Sequence, residues 1–262
     1  MTKNYVRPIV EAYEKYGVPV VDVHSHICEF EKDELEAYLS IPNALKLVGV
    51  SEDLESAKCV AELSANASNV IPCVGLHPWN MDKREQVEDI LQVAMVNDIQ
   101  CLGEIGLDTK FYPETFQSGV QQEVFRRFLE YAAERRLVVN LHAAGAWLDV
   151  LLTLMKHNIE RAVFHWYTGP LDVLKEIQYS GYYVSINPAI IIQKKSRRVA
   201  EEVKLDRLLL ESDGPYNYRG LRLNPSLIPR AAEIIAEIKG VDTGTVLRYA
   251  YENAEKLFDG FN

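Results

Sequence analysis

The chain has 262 residues, 48% of them hydrophobic and 25% charged, a globular balance that excludes long disorder and fibrous repeats. Its formal net charge of −10 repels a polyanion at long range, so a nucleic-acid partner requires positive charge gathered locally. No apolar run approaches the ~20 residues of a membrane span, and the segment from Met1 to Tyr16 lacks the apolar centre of a secretory signal, which makes the cytoplasm the expected compartment.

Runs rich in Val, Ile and Leu recur at even intervals, each bounded by Gly, Pro, Asn or Asp and followed by helical periodicity. In chain order, a strand is expected over 19–27, followed by a short acidic segment, 29–40, with only a weak helical pattern. Strands over 45–50, 70–76 and 101–107 precede helices over 52–65, 84–97 and 117–136. Strands over 137–142, 161–166 and 182–186 precede helices over 146–157, 171–179 and 190–203. The last strand, 208–212, leads to a pair of helices over 227–239 and 243–258, the first of them ending at Gly240, a residue suited to a C-cap. Strands alternating with helices build right-handed βαβ units, and eight repeats favour closure over an open sheet. The expected fold is α/β, a single-domain (β/α)8 TIM-type barrel spanning 1–262 with a C-terminal helix pair. Cys28, Cys59, Cys73 and Cys101 stand far apart without a C-x-x-C pair and read as reduced core thiols.

A closed barrel brings the ends of all its strands to one rim, so polar residues at those ends become neighbours. The first strand ends in Asp22-Val23-His24-Ser25-His26, and side chains two apart share a strand face, which suits His24 and His26 to ligate one metal ion. Glu104, His142, His165 and Asp213 end four other strands. Four of the six histidines belong to this set and a fifth, His77, ends another strand, an arrangement that core packing alone does not produce.

Read jointly, these segments resemble the TatD-related family of metal-dependent hydrolases, among the amidohydrolase-like barrels. The resemblance runs from about Val20 to Phe258. It rests on D-x-H-x-H at Asp22 to His26, G-L-H-P at Gly75 to Pro78 and G-E-I-G-L-D at Gly103 to Asp108. The strand-end His142, H-x-[FY]-[ST]-G at His165 to Gly169 and L-L-E-[ST]-D-x-P-Y at Leu209 to Tyr216 complete it. Two positions depart from the family pattern: Ala143 follows His142 where a Thr or Arg is usual, and Gly214 replaces a common Ser.

The resemblance implies a deoxyribonuclease-type phosphodiesterase with two divalent metal ions, Zn, Mn, Mg, Ni and Co not being distinguished by this ligand chemistry. Glu104 would bridge the ions, with His24, His26 and Asp213 on one and His142 and His165 on the other, and Asp213 would also be the general base. His77 reads as a substrate-phosphate contact, a support for a ligand or a loop brace, and Glu211 as a hydrogen-bond partner of a ligand or a structural pair. Arg222, in an R-x-N-P segment, is expected to contact substrate. Lys194, Lys195, Arg197, Arg198 and Arg219 are read either as further phosphate contacts or as solvated surface, and Trp79, Trp166, Tyr167, Tyr216 and Tyr218 as base-stacking or rim-packing groups. The expected partner is a phosphoester such as DNA or an oligonucleotide, with no membrane and no protein partner inferred. Two other functions stay open: hydrolysis of a carbonyl ester, amide or lactone, including an aminoacyl-tRNA ester, and a metal-stabilised binding module whose catalysis has lapsed.

Overall fold

A computed structural model describes residues 3–259. It opens with a helix the sequence reading did not assign, α1 (Lys3–Tyr16), whose Ile9 and Ala12 are buried in the core. Then β1 (Val20–Ser25), α2 (Lys32–Leu39), β2 (Leu45–Val50), α3 (Leu54–Asn66), β3 (Val70–Cys73), α4 (Val87–Val96) and β4 (Cys101–Gly106) follow. Next come α5 (Pro113–Gln117), α6 (Val120–Arg135), β5 (Val138–His142), α7 (Trp147–Lys156), β6 (Ala162–Phe164) and α8 (Leu171–Tyr179). The chain continues with β7 (Tyr183–Ile186), α9 (Lys194–Glu202) and β8 (Leu208–Leu210). A small hairpin, β9 (Asn217–Tyr218) and β10 (Leu221–Arg222), precedes α10 (Ile228–Lys239) and α11 (Thr243–Phe258). Every expected strand is present. The helix expected over 117–136 is divided because Gly119 adopts φ +82°, and the one expected over 84–97 is preceded by a 3-10 segment, Pro78–Gln86.

Strands β1 to β3 pair in parallel in chain order, as do β4 to β8. A parallel bridge from Val74 to Leu102 and the Glu104 amide donating to the Ser51 carbonyl join the two groups. At the other seam the Asp213 amide donates to the His24 carbonyl and the His26 amide to the Gly214 carbonyl, so the ring closes at the level of the candidate ligands. This is the TIM-type α/β barrel expected from the eight repeats.

Side-chain parity carries that geometry inward. On β5, Val139 and Leu141 pack in the large cluster with the surrounding helices, whereas Val138 packs in a smaller cluster with Val163, Tyr183 and Leu209. Asn140 and His142 share the parity of Val138, His165 that of Val163, and Glu211 and Asp213 that of Leu209, so the polar rim lies directly above the inner apolar layer. The smaller cluster also takes in Leu257 and Phe258 of α11.

The cysteine expectation is corrected. Cys28 is disulfide-bonded to Cys59, and Cys73 to Cys101. Residues 28 or 31 apart in sequence become neighbours because β3 lies beside β4 and α3 packs near the turn after β1, a relation that spacing along the chain does not encode. Cysteine usage therefore gives no support to a reducing compartment. Among the described residues, no helix is long and apolar enough to cross a membrane.

One glycine fixes the approach of β4 to β5. Gly106 has φ +148°, and a Cβ there would lie 1.9 Å from the His142 carbonyl oxygen, which accepts the Leu107 amide. Gly106→Ala is expected to lower unfolding free energy by about 3 kcal/mol through forced separation of the two strands. Urea denaturation measures this; an unchanged midpoint would contradict the packing described.

Candidate metal centre

Glu104 lies at the centre of the barrel mouth, 1% exposed. Its two carboxylate oxygens face different imidazoles. Oε1 lies 2.8 Å from His142 Nδ1, 2.8 Å from His165 Nε2 and 3.1 Å from His77 Nε2. Oε2 lies 3.2 Å from His24 Nε2 and 3.6 Å from His26 Nε2. Asp213 closes the second group, with Oδ1 3.3 Å from His26 Nε2 and 3.7 Å from His24 Nε2. The six residues expected as ligands are thus brought together, divided by Glu104 into the two sets the sequence reading assigned. The pairing register of β1 shifts between Asp22 and Ser25, and His24 and His26 both reach the cluster, their ring centroids 5.3 Å apart.

Hydrogen bonds fix which ring nitrogens offer lone pairs. The Asn140 amide group donates to the Val23 carbonyl at 2.8 Å, which turns its oxygen toward His24 Nδ1, also at 2.8 Å. His24 Nδ1 therefore carries the proton, and the buried Nε2, which has no hydrogen-bond partner among the described residues, points its lone pair into the cluster. Such a nitrogen costs free energy unless a cation or donor meets it. His77 is arranged the other way: its Nδ1 accepts from the Trp79 amide, so in the neutral ring Nε2 carries the proton and donates to Glu104. Burial pushes the His77 pKa down to about 4 against the opposing pull of Glu104. His77 fits a supporting donor to Glu104, whereas His24 fits a metal ligand.

Around them the charges are strongly coupled. Burial opposes charge on His26, but Asp213, Glu104 and Glu52 outweigh it and lift its pKa to about 9. Burial likewise opposes charge on His142 and His165, yet Asp108 and Glu104 raise the first, and Glu104 and Glu211 raise the second well above the ordinary imidazole range. For Glu104, burial favours the neutral acid but His77, His165, His24 and His142 hold its pKa well below the usual range. The donor set, largely buried imidazoles and carboxylates with an unpartnered nitrogen aimed inward, fits divalent ions. His24, His26 and Asp213 bring ligand atoms within 4.8 Å of one another, and so do His77, Glu104 and His142.

Several supporting residues escaped the sequence reading. Asp108 accepts from His142 Nε2 at 2.9 Å and from Trp79 Nε1 at 2.6 Å, while its other oxygen accepts the Lys110 and Phe111 amides. It thereby fixes both the imidazole and the loop beyond β4. Its place at the end of Gly103 to Asp108 was visible, but not its role. Asn140, a polar residue two before His142 in an apolar strand, carried a signal of the same kind. Glu52, two residues beyond β2, meets the strand-end criterion and lies 3.9 Å from His26 Nδ1. Glu211, which the sequence did single out as a partner of a ligand or a structural pair, accepts the Trp166 amide and the Ser185 hydroxyl and stands 3.7 Å from His165 Nδ1.

Over the cluster lies a cleft of about 420 Å³ lined by His26, Glu52, His77, Trp79, Glu104, Lys110 and Phe111, by His142 and Ala143, and by further groups from the opposite wall. Trp166, Asp213, Tyr216, Tyr218 and Arg219 are among those groups. Arg222 is not brought there: its guanidinium pairs bidentately with Glu34, at 2.9 and 2.7 Å. Lys194, Lys195 and Arg198 are exposed on α9, outside the cleft lining, and Tyr167 is buried with its hydroxyl donating to the Pro170 carbonyl.

A divalent ion entering this cluster competes with imidazole protons. With the His26 pKa raised, the protonated ring persists through neutrality, so metal affinity is expected to rise as pH increases between about 6.5 and about 9. Zinc titration calorimetry in two buffers of different ionisation enthalpy checks this by its proton release; pH-independent binding without proton release would contradict it.

Comparison with known proteins places this geometry. A family model described as TatD related DNase matches residues 21–259. Human deoxyribonuclease TATDN3 is 29% identical over 263 residues, an alignment covering 92% of this chain and 95% of the relative. The uncharacterized metal-dependent hydrolase YcfH of Escherichia coli is 28% identical, with 91% and 95% covered. Among solved structures, YjjV, a TatD homologue from Escherichia coli, superposes with a TM-score of 0.79 at 24% identity, covering 92% of this chain and 98% of that one.

Proposed function

The chain belongs to the TatD-related DNase family, and from that premise we propose that it is a divalent-metal-dependent phosphodiesterase acting on DNA or oligonucleotides, with two ions held at Glu104. The observation that carries this reading is the division of imidazoles between the two oxygens of one buried carboxylate. His24, His26 and Asp213 would hold one ion, His142 and His165 the other, and Glu104 both. Bound divalent ions supply a lowered water pKa and stabilise charge on the attacking and leaving oxygens of the phosphoryl group.

The remaining work falls to the chain itself. Asp213 borders the cleft with its carboxylate directed at His24 and His26, and it accepts the proton of the attacking water. Asp108 and Asn140 hold His142 and His24 by the nitrogens turned away from Glu104, and His77 donates to Glu104. Burial of Glu104, His24 and His142 at the cleft floor lowers the effective dielectric around the reacting charges. Family membership does not favour the carbonyl-ester, amide or lactone alternative, and a complete donor set speaks against a lapsed binding module.

Asp213→Asn is expected to reduce kcat/KM on a fluorogenic single-stranded oligonucleotide by about 100-fold to 10,000-fold. Chelation should abolish cleavage and a divalent ion restore it. Wild-type protein with confirmed metal content that releases no product would overturn the proposal.

A further inference from the structure

The cleft is lined by two cationic side chains other than histidine, Lys110 and Arg219. Neither forms an ion pair with a carboxylate among the described residues, although Lys83, Arg127, Arg161, Arg222 and Arg230 all do. In a chain of net charge −10, two uncompensated cations beside a carboxylate-rich cluster mark places where an anion is expected.

Their positions in the fold are opposed. Lys110 follows β4, whereas Arg219 lies at the tip of the hairpin after β8, and these strands are four apart in the eight-stranded ring. The two cations therefore line separate walls of the cleft, Lys110 beside Phe111 and Trp79, and Arg219 on the hairpin that packs against Trp166 and Gln193. Each also has an aromatic companion: Lys110 Nζ lies 4.3 Å from the centre of the Phe111 ring, and the Arg219 guanidinium 5.3 Å from that of Tyr218.

Both walls expose aromatic surface and are held from behind. Phe111 is 54% exposed and packs edge-on against Trp79, whose indole is fixed by Asp108. Tyr216 is 47% exposed, and Gln193 pins the Tyr218 hydroxyl. Exposed aromatic faces beside a free cation match the two parts of a nucleotide, a base that stacks and a phosphate that pairs.

We propose that these walls are two nucleotide half-sites, with Lys110 and Arg219 holding the phosphates on either side of the scissile one and Phe111 and Tyr216 stacking the adjacent bases. This rests on the phosphodiesterase reading and deepens it. The preferred substrate then carries a base on both sides of the cleaved bond, and an isolated phosphomonoester or a simple diester engages only the centre.

The test is fluorescence anisotropy with a labelled tetrathymidylate and with the same backbone lacking its bases, at low salt and with a chelator present to block cleavage. Lys110→Glu and Arg219→Glu are each expected to weaken binding at least about tenfold, and removal of the bases to do the same. Lys175→Glu, on the outer helix α8, makes the same change in net charge and should alter binding less than about twofold. Circular dichroism checks folding; where a charge reversal misfolds, Lys110→Gln or Arg219→Gln replaces it, with about a threefold loss expected. Equal weakening by Lys175→Glu, indifference to the bases, or no binding by the wild type would overturn the half-sites. Binding as described without hydrolysis on metal addition would instead overturn the phosphodiesterase reading alone, and hydrolysis with unaltered variant binding would overturn the half-sites alone.

Discussion

A single buried carboxylate imposes its demands on the barrel mouth. Glu104, placed among apolar strands, would cost several kcal/mol as an unpaired ion. The surrounding imidazoles hold its pKa well below the usual carboxylate range, so the charged form is the stable one. The arrangement then extends outward: Asn140 and Asp108 define the second nitrogen of His24 and His142, and Glu211 places a carboxylate 3.7 Å from that of His165. Removing one member leaves the next unsatisfied, so these side chains act as a network rather than as separate ligands.

The barrel makes such a network possible at this chain length. The candidate ligands His24, Glu104, His142, His165 and Asp213 come from segments far apart in sequence, yet closure places all of them at one rim. The seam between β8 and β1 is stitched by amides of Asp213 and His26, two of the candidate ligands themselves. Fold closure and site assembly therefore share backbone bonds. The close passage of β4 beside β5, permitted by Gly106, sets Glu104 against His142.

Much of this was legible from residues alone. Periodicity located the strands because buried parallel strands are short, continuous apolar runs, and the ligands stood out as polar groups ending them. What stayed hidden depends on contacts between distant segments. Arg222 appeared free because its partner, Glu34, lies 188 residues away. The disulfides join neighbours created by strand order, and Asp108 and Asn140 acquire meaning only through the rings they touch. Lys110 likewise shows its place on the cleft wall only in the folded chain.

The central claim is that Glu104 lies between two cation sites. Anomalous X-ray diffraction from crystals soaked in zinc or manganese tests it most directly. The account predicts two peaks, one bounded by His24, His26 and Asp213 and the other by His142 and His165, with a Glu104 oxygen on each. A single peak, or peaks that leave Glu104 without a metal contact, would contradict it.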